Sequence, residues 1–365
     1  MLKIAYLPFF LFFVLMNGYS FAQTLKKDTL PSKKILYFPV IAKSIETNWS
    51  FGLAGSATFR LSKSDTTSRT SNIQSVVLYS LKKQFITAIN GAEYFKNEKY
   101  ILNEQISYSS FPDKFWGIGN TTPDSVVEHY SFQQYYLYLH LLRNLGHHFF
   151  GGVLYEMQHV YKISYIFGGL FDQENIAGRS GYFVSGLGLS LTYDDRNDAF
   201  APDKGNFAQI YFNHFDPLIG SSFNYTNLVV DLRKFLRIYR KQVLALQAYS
   251  FSNIGAEVPL RSLASLGGAN SMRGYYSGRY RDKQAFVLQA EYRVPIYKRV
   301  GIALFGSSGE VGHAIDDFTL NGLKYAYGAG LRIRLTKKEK LNLRLDYGIG
   351  QGNNQGFYLQ LGEAF

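Results

Sequence analysis

Residues 186–194 read Gly-Leu-Gly-Leu-Ser-Leu-Thr-Tyr-Asp. In an extended chain Leu187, Leu189, Leu191 and Tyr193 fall on one side, and Gly186, Gly188, Ser190, Thr192 and Asp194 on the other. The same period of two runs through 286–296. There Phe286, Leu288, Ala290, Tyr292, Val294 and Ile296 oppose Val287, Gln289, Glu291, Arg293 and Pro295. It returns in 341–349, where Leu341, Leu343, Leu345, Tyr347 and Ile349 oppose Asn342, Arg344, Asp346 and Gly348. A soluble sandwich would turn such apolar faces inward. A membrane barrel turns them outward, against lipid, and keeps small and polar residues in its lumen. Composition favours the barrel. Aromatic residues make up 17% of the chain, with 29 Tyr and 30 Phe, which suits a wall that meets lipid and carries aromatic girdles. After residue 22 there is no run of about 18 apolar residues, so a helical membrane protein is excluded.

The start of the chain reads as an export signal. Lys3 supplies a positive region, Tyr6 to Met16 an apolar core, and Ser20-Phe21-Ala22 a small-x-small cleavage site. Residues 1–22 are therefore expected to be a cleaved signal peptide. Residues 23–47, Lys-rich and holding Pro31 and Pro39, read as a short periplasmic leader. A transmembrane antiparallel β-barrel, all-β, is then expected over 48–365. That region yields fifteen strand candidates, and single-chain bacterial barrels have an even number. Sixteen strands are expected, with fourteen as the alternative and the missing strand sought within 61–180. The absence of Cys removes disulfides, thiol nucleophiles, Cys-ligated metal sites and a lipoprotein anchor.

Residues 266–282, LGGANSMRGYYSGRYRD, break the alternation between two good strands. The segment is Gly-rich, basic and far longer than a hairpin needs. Leu266-Gly267-Gly268 opens it, Glu291-Tyr292-Arg293-x-Pro295 follows on the next strand, and Gly328-x-Gly330-Leu331-Arg332 comes later. With these features the sequence resembles the BamA/TamA-type outer-membrane barrel family (bacterial surface antigens). The resemblance spans at least 181–365 and rests on strand texture before that. It implies a long loop that folds back into the lumen, with Arg273-Gly274-Tyr275 at its tip. It also matches the family's turn of Asp194, Asp195, Arg196 and Asn197 with Pro202 and Gly205, expected at the periplasmic end. The final stretch, Gln355-Gly356-x-x-Leu359-x-Leu361 with Phe365 last, is similar to the C-terminal signal read by the outer-membrane assembly machinery.

The residues support a loop anchor on their own terms. Alternation turns Glu291 inward, and an Arg in a partly dewatered lumen needs a carboxylate. The guanidinium fork can bond one bidentately. Gly274 would permit a close approach and Tyr275 would wedge against the wall. The alternative is an Arg273 solvated in an exposed loop. The chain departs from the family at Phe305-Gly306-Ser307-Ser308-Gly309, where Ser307 stands in place of a second acidic partner. Asp346, inward on its own strand, is the candidate to compensate. Arg293, Arg332, Arg334 and Arg344 are also expected inward. With Glu291 and Asp346 they make either a wall that docks the loop or a salt-bridged filling of the barrel.

Nothing marks an enzyme, a metal site or a cofactor. The seven His are scattered without H-E-x-x-H spacing, and there is no G-x-S-x-G elbow. Asp194–Gly205 lacks the calcium-loop order. Gly348-x-Gly350-x-Gly352 matches a nucleotide loop only weakly and no helix follows it. The net charge of +12 does not imply nucleic acid, since no such module is visible; basic side chains can meet lipopolysaccharide or lipid head groups. The resemblance implies insertion or translocation of proteins at the outer membrane. Client barrels and a POTRA-bearing partner would be its partners, because 25 leader residues cannot hold a POTRA domain. A passive, loop-plugged channel is the second expectation. An outer-membrane lipid hydrolase is a third, without positive support.

Overall fold

A computed structural model describes residues 33–365 except 63, 66–67, 199–200 and 336–341; the expected signal peptide lies outside the described residues. The strands are β1 Lys33–Ser44, β2 Asn48–Phe59, β3 Ser71–Ser80, β4 Phe85–Tyr94, β5 Tyr100–Phe115 and β6 Glu128–Gly146. They continue with β7 Phe149–Ser164, β8 Tyr182–Asp194, β9 Gly205–Phe215, β10 Tyr225–Arg237, β11 Val243–Ile254 and β12 Ala264–Leu266. The last six are β13 Tyr280–Asp282, β14 Gln284–Tyr297, β15 Val300–Gly312, β16 Lys324–Arg334, β17 Asn342–Gly350 and β18 Gln355–Leu361. All except β12 and β13 form one sixteen-stranded sheet in chain order, each strand antiparallel to its neighbours and the whole rolled into a nearly closed barrel. β12 and β13 pair with each other inside the long 255–283 connection.

The apolar faces point outward. Leu187, Leu189 and Leu191 are 49%, 53% and 46% exposed, while their neighbours Gly186 and Gly188 are buried. That inversion of a soluble protein's pattern is what a lipid-facing wall requires. The sheet register keeps the faces continuous: Leu189 sits opposite Val153 on β7 and Phe212 on β9, both exposed. Tight turns occur at the end opposite the long loop. His147 and His148, between β6 and β7, have φ of 51° and 66°, the left-handed pair of a two-residue hairpin.

Two expectations are corrected here. The sixteenth strand lies in 33–44, not in 61–180, so the expected leader 23–47 gives up half its length to β1. Pro39 made the segment read as a linker. It is tolerated because β1 is an edge strand: Pro39 pairs with Leu53 of β2, and the missing N–H interrupts no second ladder. The final strand also stops at Leu361, short of the chain end, with Gly362 in a left-handed conformation at φ 84°.

β1 and β18 lie side by side as the two edges of the sheet, and among the described residues no ladder joins them. Near one end of this seam a Cβ on Gly356 would come within 2.8 Å of Ile45 Cγ2. Two apolar clusters fill the lumen toward the long-loop end. One, around Phe115, Tyr130, Phe215 and Tyr225 of the earlier strands, also takes in Phe171 of the β7–β8 connection and Val258 and Leu260 of the long loop. The other, around Leu266, Met272, Tyr275, Val287 and Val311, seats the long loop.

Candidate functional site: the loop tip on the late-strand wall

The 255–283 loop enters the lumen and ends on β14–β18. Arg273 is 2% exposed. Its Nη2 lies 2.6 Å from Glu291 Oε2, an ion pair without a well-aligned N–H···O, and its Nη1 donates to Asp346 Oδ2 at 2.5 Å. The guanidinium carbon also sits 3.5 Å above the centre of the Phe305 ring. Arg273 is thus held by two carboxylates and one aromatic face, an arrangement that suits a planar delocalised cation. Ser307 takes no part, since its hydroxyl donates to the Ala326 carbonyl at 3.3 Å. Asp346 fills the role that Ser307 vacates.

The other inward charges knit around this pair. Glu291 lies 2.8 Å from Arg293 and 3.1 Å from Arg332. Asp346 takes Arg332 at 2.5 Å and Arg344 at 3.4 Å. Glu363, which sequence reasoning missed, is a third acid: Arg332 Nε donates to it at 2.8 Å and Asn342 Nδ2 at 2.5 Å. Arg344 donates to Asn270 of the loop at 2.8 Å, and Arg334 sits apart, donating to Asn342 at 3.3 Å. Four guanidiniums around three carboxylates leave little net charge in a space where an unpaired ion would be costly.

Glycines make the room. Inward positions alternate along β17, so Asp346, Gly348 and Gly350 form one track. A Cβ on Gly348 would lie 2.3 Å from the Arg273 carbonyl oxygen, and one on Gly350 would lie 2.7 Å from the Tyr275 ring. Gly274 has φ 124° and packs against the Gly350 and Ile349 backbone, where any side chain would clash. The Gly348-x-Gly350 repeat is a docking track for the loop tip. Tyr275, fully buried, donates through its hydroxyl to the Tyr325 carbonyl at 3.0 Å and accepts from Gln351 N at 2.8 Å. Tyr358 of β18 accepts from Gly274 N at 3.0 Å and donates to the Tyr275 carbonyl at 3.2 Å. One hydroxyl therefore ties the loop tip to the edge strand.

The neck of the loop is clasped separately. Arg279 donates to Asp124 at 2.6 Å and to the Thr122 carbonyl at 2.7 Å, Tyr276 donates to Asp113 at 2.8 Å, and Ser277 N donates to Glu46 at 2.9 Å. Glu46 belongs to the β1–β2 turn, so the loop touches both edges of the seam. These contacts join residues far apart in sequence, and no local pattern announced them.

At the opposite end Asp194 joins Arg196 at 2.8 Å and Arg69 at 2.9 Å. Asp195 accepts from Tyr193 at 3.1 Å and from Asn206 N. Gly205 lets the chain pass where a Cβ would meet Arg196 Cα at 2.7 Å. Asn197 bonds Asp203 and Lys204, and Pro202 is buried beside them. The motif is thus a self-bonded turn. In the terminal strand Gly356 faces inward, Leu359 lies outward opposite Leu345, and Leu361 pairs in register with Leu343. Phe365 does not continue that face. It turns into the lumen, packs with Phe235, Ala245 and Ala364, and accepts through its carbonyl from Arg293 Nη2 at 3.1 Å. In the earlier lumen His140 Nε2 lies 2.6 Å from Ser190 Oγ, and among the described residues no carboxylate orients the ring. No group of three or more metal-ligating side chains occurs among the described residues.

A single sixteen-stranded barrel with a lumenal loop held by Arg-carboxylate contacts defines the class. A profile of the Omp85 superfamily domain matches residues 44–365, and the chain belongs to that superfamily. A search of curated proteins gives no sequence match. Among solved structures the fold is similar to BamA from Haemophilus ducreyi lacking POTRA domains 1–3, with a TM-score of 0.58 at 14% identity over 91% of this chain and 70% of that one. It is also similar to CdiB from Escherichia coli, at 0.61 and 10% over 93% and 63%. CdiB from Acinetobacter baumannii gives 0.56 and 10% over 92% and 60%. The chain thus spans 60–70% of the length of these structures, and at such identities the likeness is one of fold.

Proposed function

We propose that this barrel sits in an outer membrane, with its chain ends toward the periplasm, and inserts or translocates polypeptide there. The observation that carries the reading is the seam. Among the described residues β1 and β18 adjoin without a ladder, the loop tip bonds β18 through Tyr358, and the loop neck bonds the β1–β2 turn through Glu46. An unpaired edge is a template for an incoming strand. Opening at β1/β18 would present it, and the loop would set how far the edge moves. Membership of the Omp85 superfamily supports this role. Client barrel proteins and a POTRA-bearing partner would supply substrate, and the outward face would meet lipid and lipopolysaccharide. Export by the 1–22 segment belongs to the same reading. The mechanism is non-enzymatic, and Ser190→Ala is expected to leave it intact.

Quantitative outer-membrane proteomics after depletion of the protein tests this. Broad loss of barrel proteins is expected, and an unchanged barrel inventory would remove the insertase reading. A loop-plugged channel is the second reading, favoured by the burial of Arg273 and Tyr275 inside the lumen. A marked rise in single-channel conductance on Arg273→Ala would support it.

A further inference from the structure

Charged side chains on the membrane face of a barrel are costly, and this one carries two carboxylates there side by side. In β4 and β5 the outward set is fixed by the exposed Ile89 and Ile106, which face each other across the ladder. Gly91 and Glu93 share that face on β4, and Leu102 and Glu104 on β5; the paired residues are Gly91–Glu104 and Glu93–Leu102. A Cβ on Gly91 would lie 2.6 Å from Glu93 Oε1 and 2.9 Å from Glu104 Oε1, so the two oxygens converge above the glycine. Glu93 is only 9% exposed, and neither of its oxygens has a hydrogen-bond partner among the described residues. Neither carboxylate forms an ion pair among the described residues. The nearest outward cation on the paired strands, Arg143, sits opposite Tyr100 and is not bonded to either.

Two converging acids with no cation beside them among the described residues leave a place for one from outside. Their position says which kind. Glu93 is one residue from the end of β4 and Glu104 four residues into β5, roughly 3 to 13 Å along the strands from their shared turn. That is the depth of the head groups in the leaflet on the side of the chain ends. Exposed Val77, Ile89 and Ile106 continue the face toward the membrane centre, where an acyl chain would lie. We infer that Glu93 and Glu104, over Gly91, bind the primary ammonium head group of a phospholipid in the periplasmic leaflet. The site rests on the outer-membrane reading above. A primary ammonium offers three N–H donors to two carboxylates, whereas a choline head group offers none.

The test is native mass spectrometry of the detergent-solubilised full chain, equilibrated with equal amounts of phosphatidylethanolamine, phosphatidylglycerol and phosphatidylcholine. Phosphatidylethanolamine is expected to be retained about tenfold over phosphatidylcholine, the factor that one lost charge-assisted hydrogen bond produces. The preference should fall to parity in the Glu93→Gln/Glu104→Gln variant. A series of N-methylated phosphatidylethanolamines on the unaltered protein needs no variant, and retention should drop as each N–H is replaced. Equal retention of all three lipids, or of the whole methylated series, overturns the site while leaving the membrane barrel in place. Loss of the preference on adding EDTA would assign the carboxylates to a divalent cation instead. A chain that retains no lipid and does not enter vesicles would contradict the membrane reading itself.

Discussion

The two halves of the lumen are built on different chemistry. The late wall, β14–β18, is ionic: its Arg293, Arg332 and Arg344, with Arg273 of the loop, interleave with Glu291, Asp346 and, just past β18, Glu363. The early wall, β5–β9, joins its polar groups mostly through neutral contacts: Tyr182 to Gln158 at 2.7 Å, Gln209 to Thr192 at 2.9 Å, and His140 to Ser190. Two inward glycines, Gly348 and Gly152, differ in the same sense. Late-wall glycines such as Gly348 are pressed against the loop backbone. Gly152 in the early wall meets side-chain ends, with Ser190 Oγ 2.4 Å and His140 Nε2 2.6 Å from where its Cβ would stand. Charge and backbone contact gather where the loop docks, and that is also where the sheet has its open edge. The early wall can rearrange one side chain at a time, whereas the late wall is coupled.

The largest expected effect is on that coupling. Glu291→Gln leaves three guanidiniums short of a carboxylate, and breaking a buried pair costs about 3–5 kcal/mol. Urea unfolding in detergent should show the loss, and an effect below about 1 kcal/mol would mean that the network is well hydrated. Next comes a pair of glycine substitutions. Gly348→Ala drives a methyl into the Arg273 carbonyl and should cost about 2–3 kcal/mol, while Gly152→Ala, which displaces only side-chain ends, should cost about 1 kcal/mol or less. Equal costs would erase the distinction between the walls. Tyr358→Phe removes one hydroxyl that serves two loop backbone groups and should cost about 1–2 kcal/mol. Limited proteolysis of the loop should also accelerate. Ser190→Ala is the smallest change, about 1 kcal/mol or less, with no effect on loop proteolysis.

What was legible in the sequence follows from the same physics. β8, β14 and β17 declared themselves because strict alternation survives wherever one face meets lipid and the other the lumen. Parity alone turned Glu291, Asp346 and the arginines inward, and the loop stood out because it broke that parity. β1 was hidden by Pro39, which breaks a central strand but not an edge. Glu363 and Phe365 escaped because Gly362 reverses the chain, so counting by twos along β18 gives them the wrong side. The Gly348-x-Gly350 track was visible, but its meaning depended on which backbone lies across it. The Arg279, Tyr276 and Glu46 contacts are purely tertiary, joining the loop to residues more than 150 positions away.

The central claim is that the β1/β18 seam moves during function. Ile45→Cys with Gly356→Cys places two thiols at the close approach between the edges. The measurement is barrel-protein assembly in cells carrying this pair as the sole copy, compared with and without reductant. Assembly should fail while the disulfide is formed and recover on reduction. Full assembly with the seam quantitatively cross-linked would contradict the account.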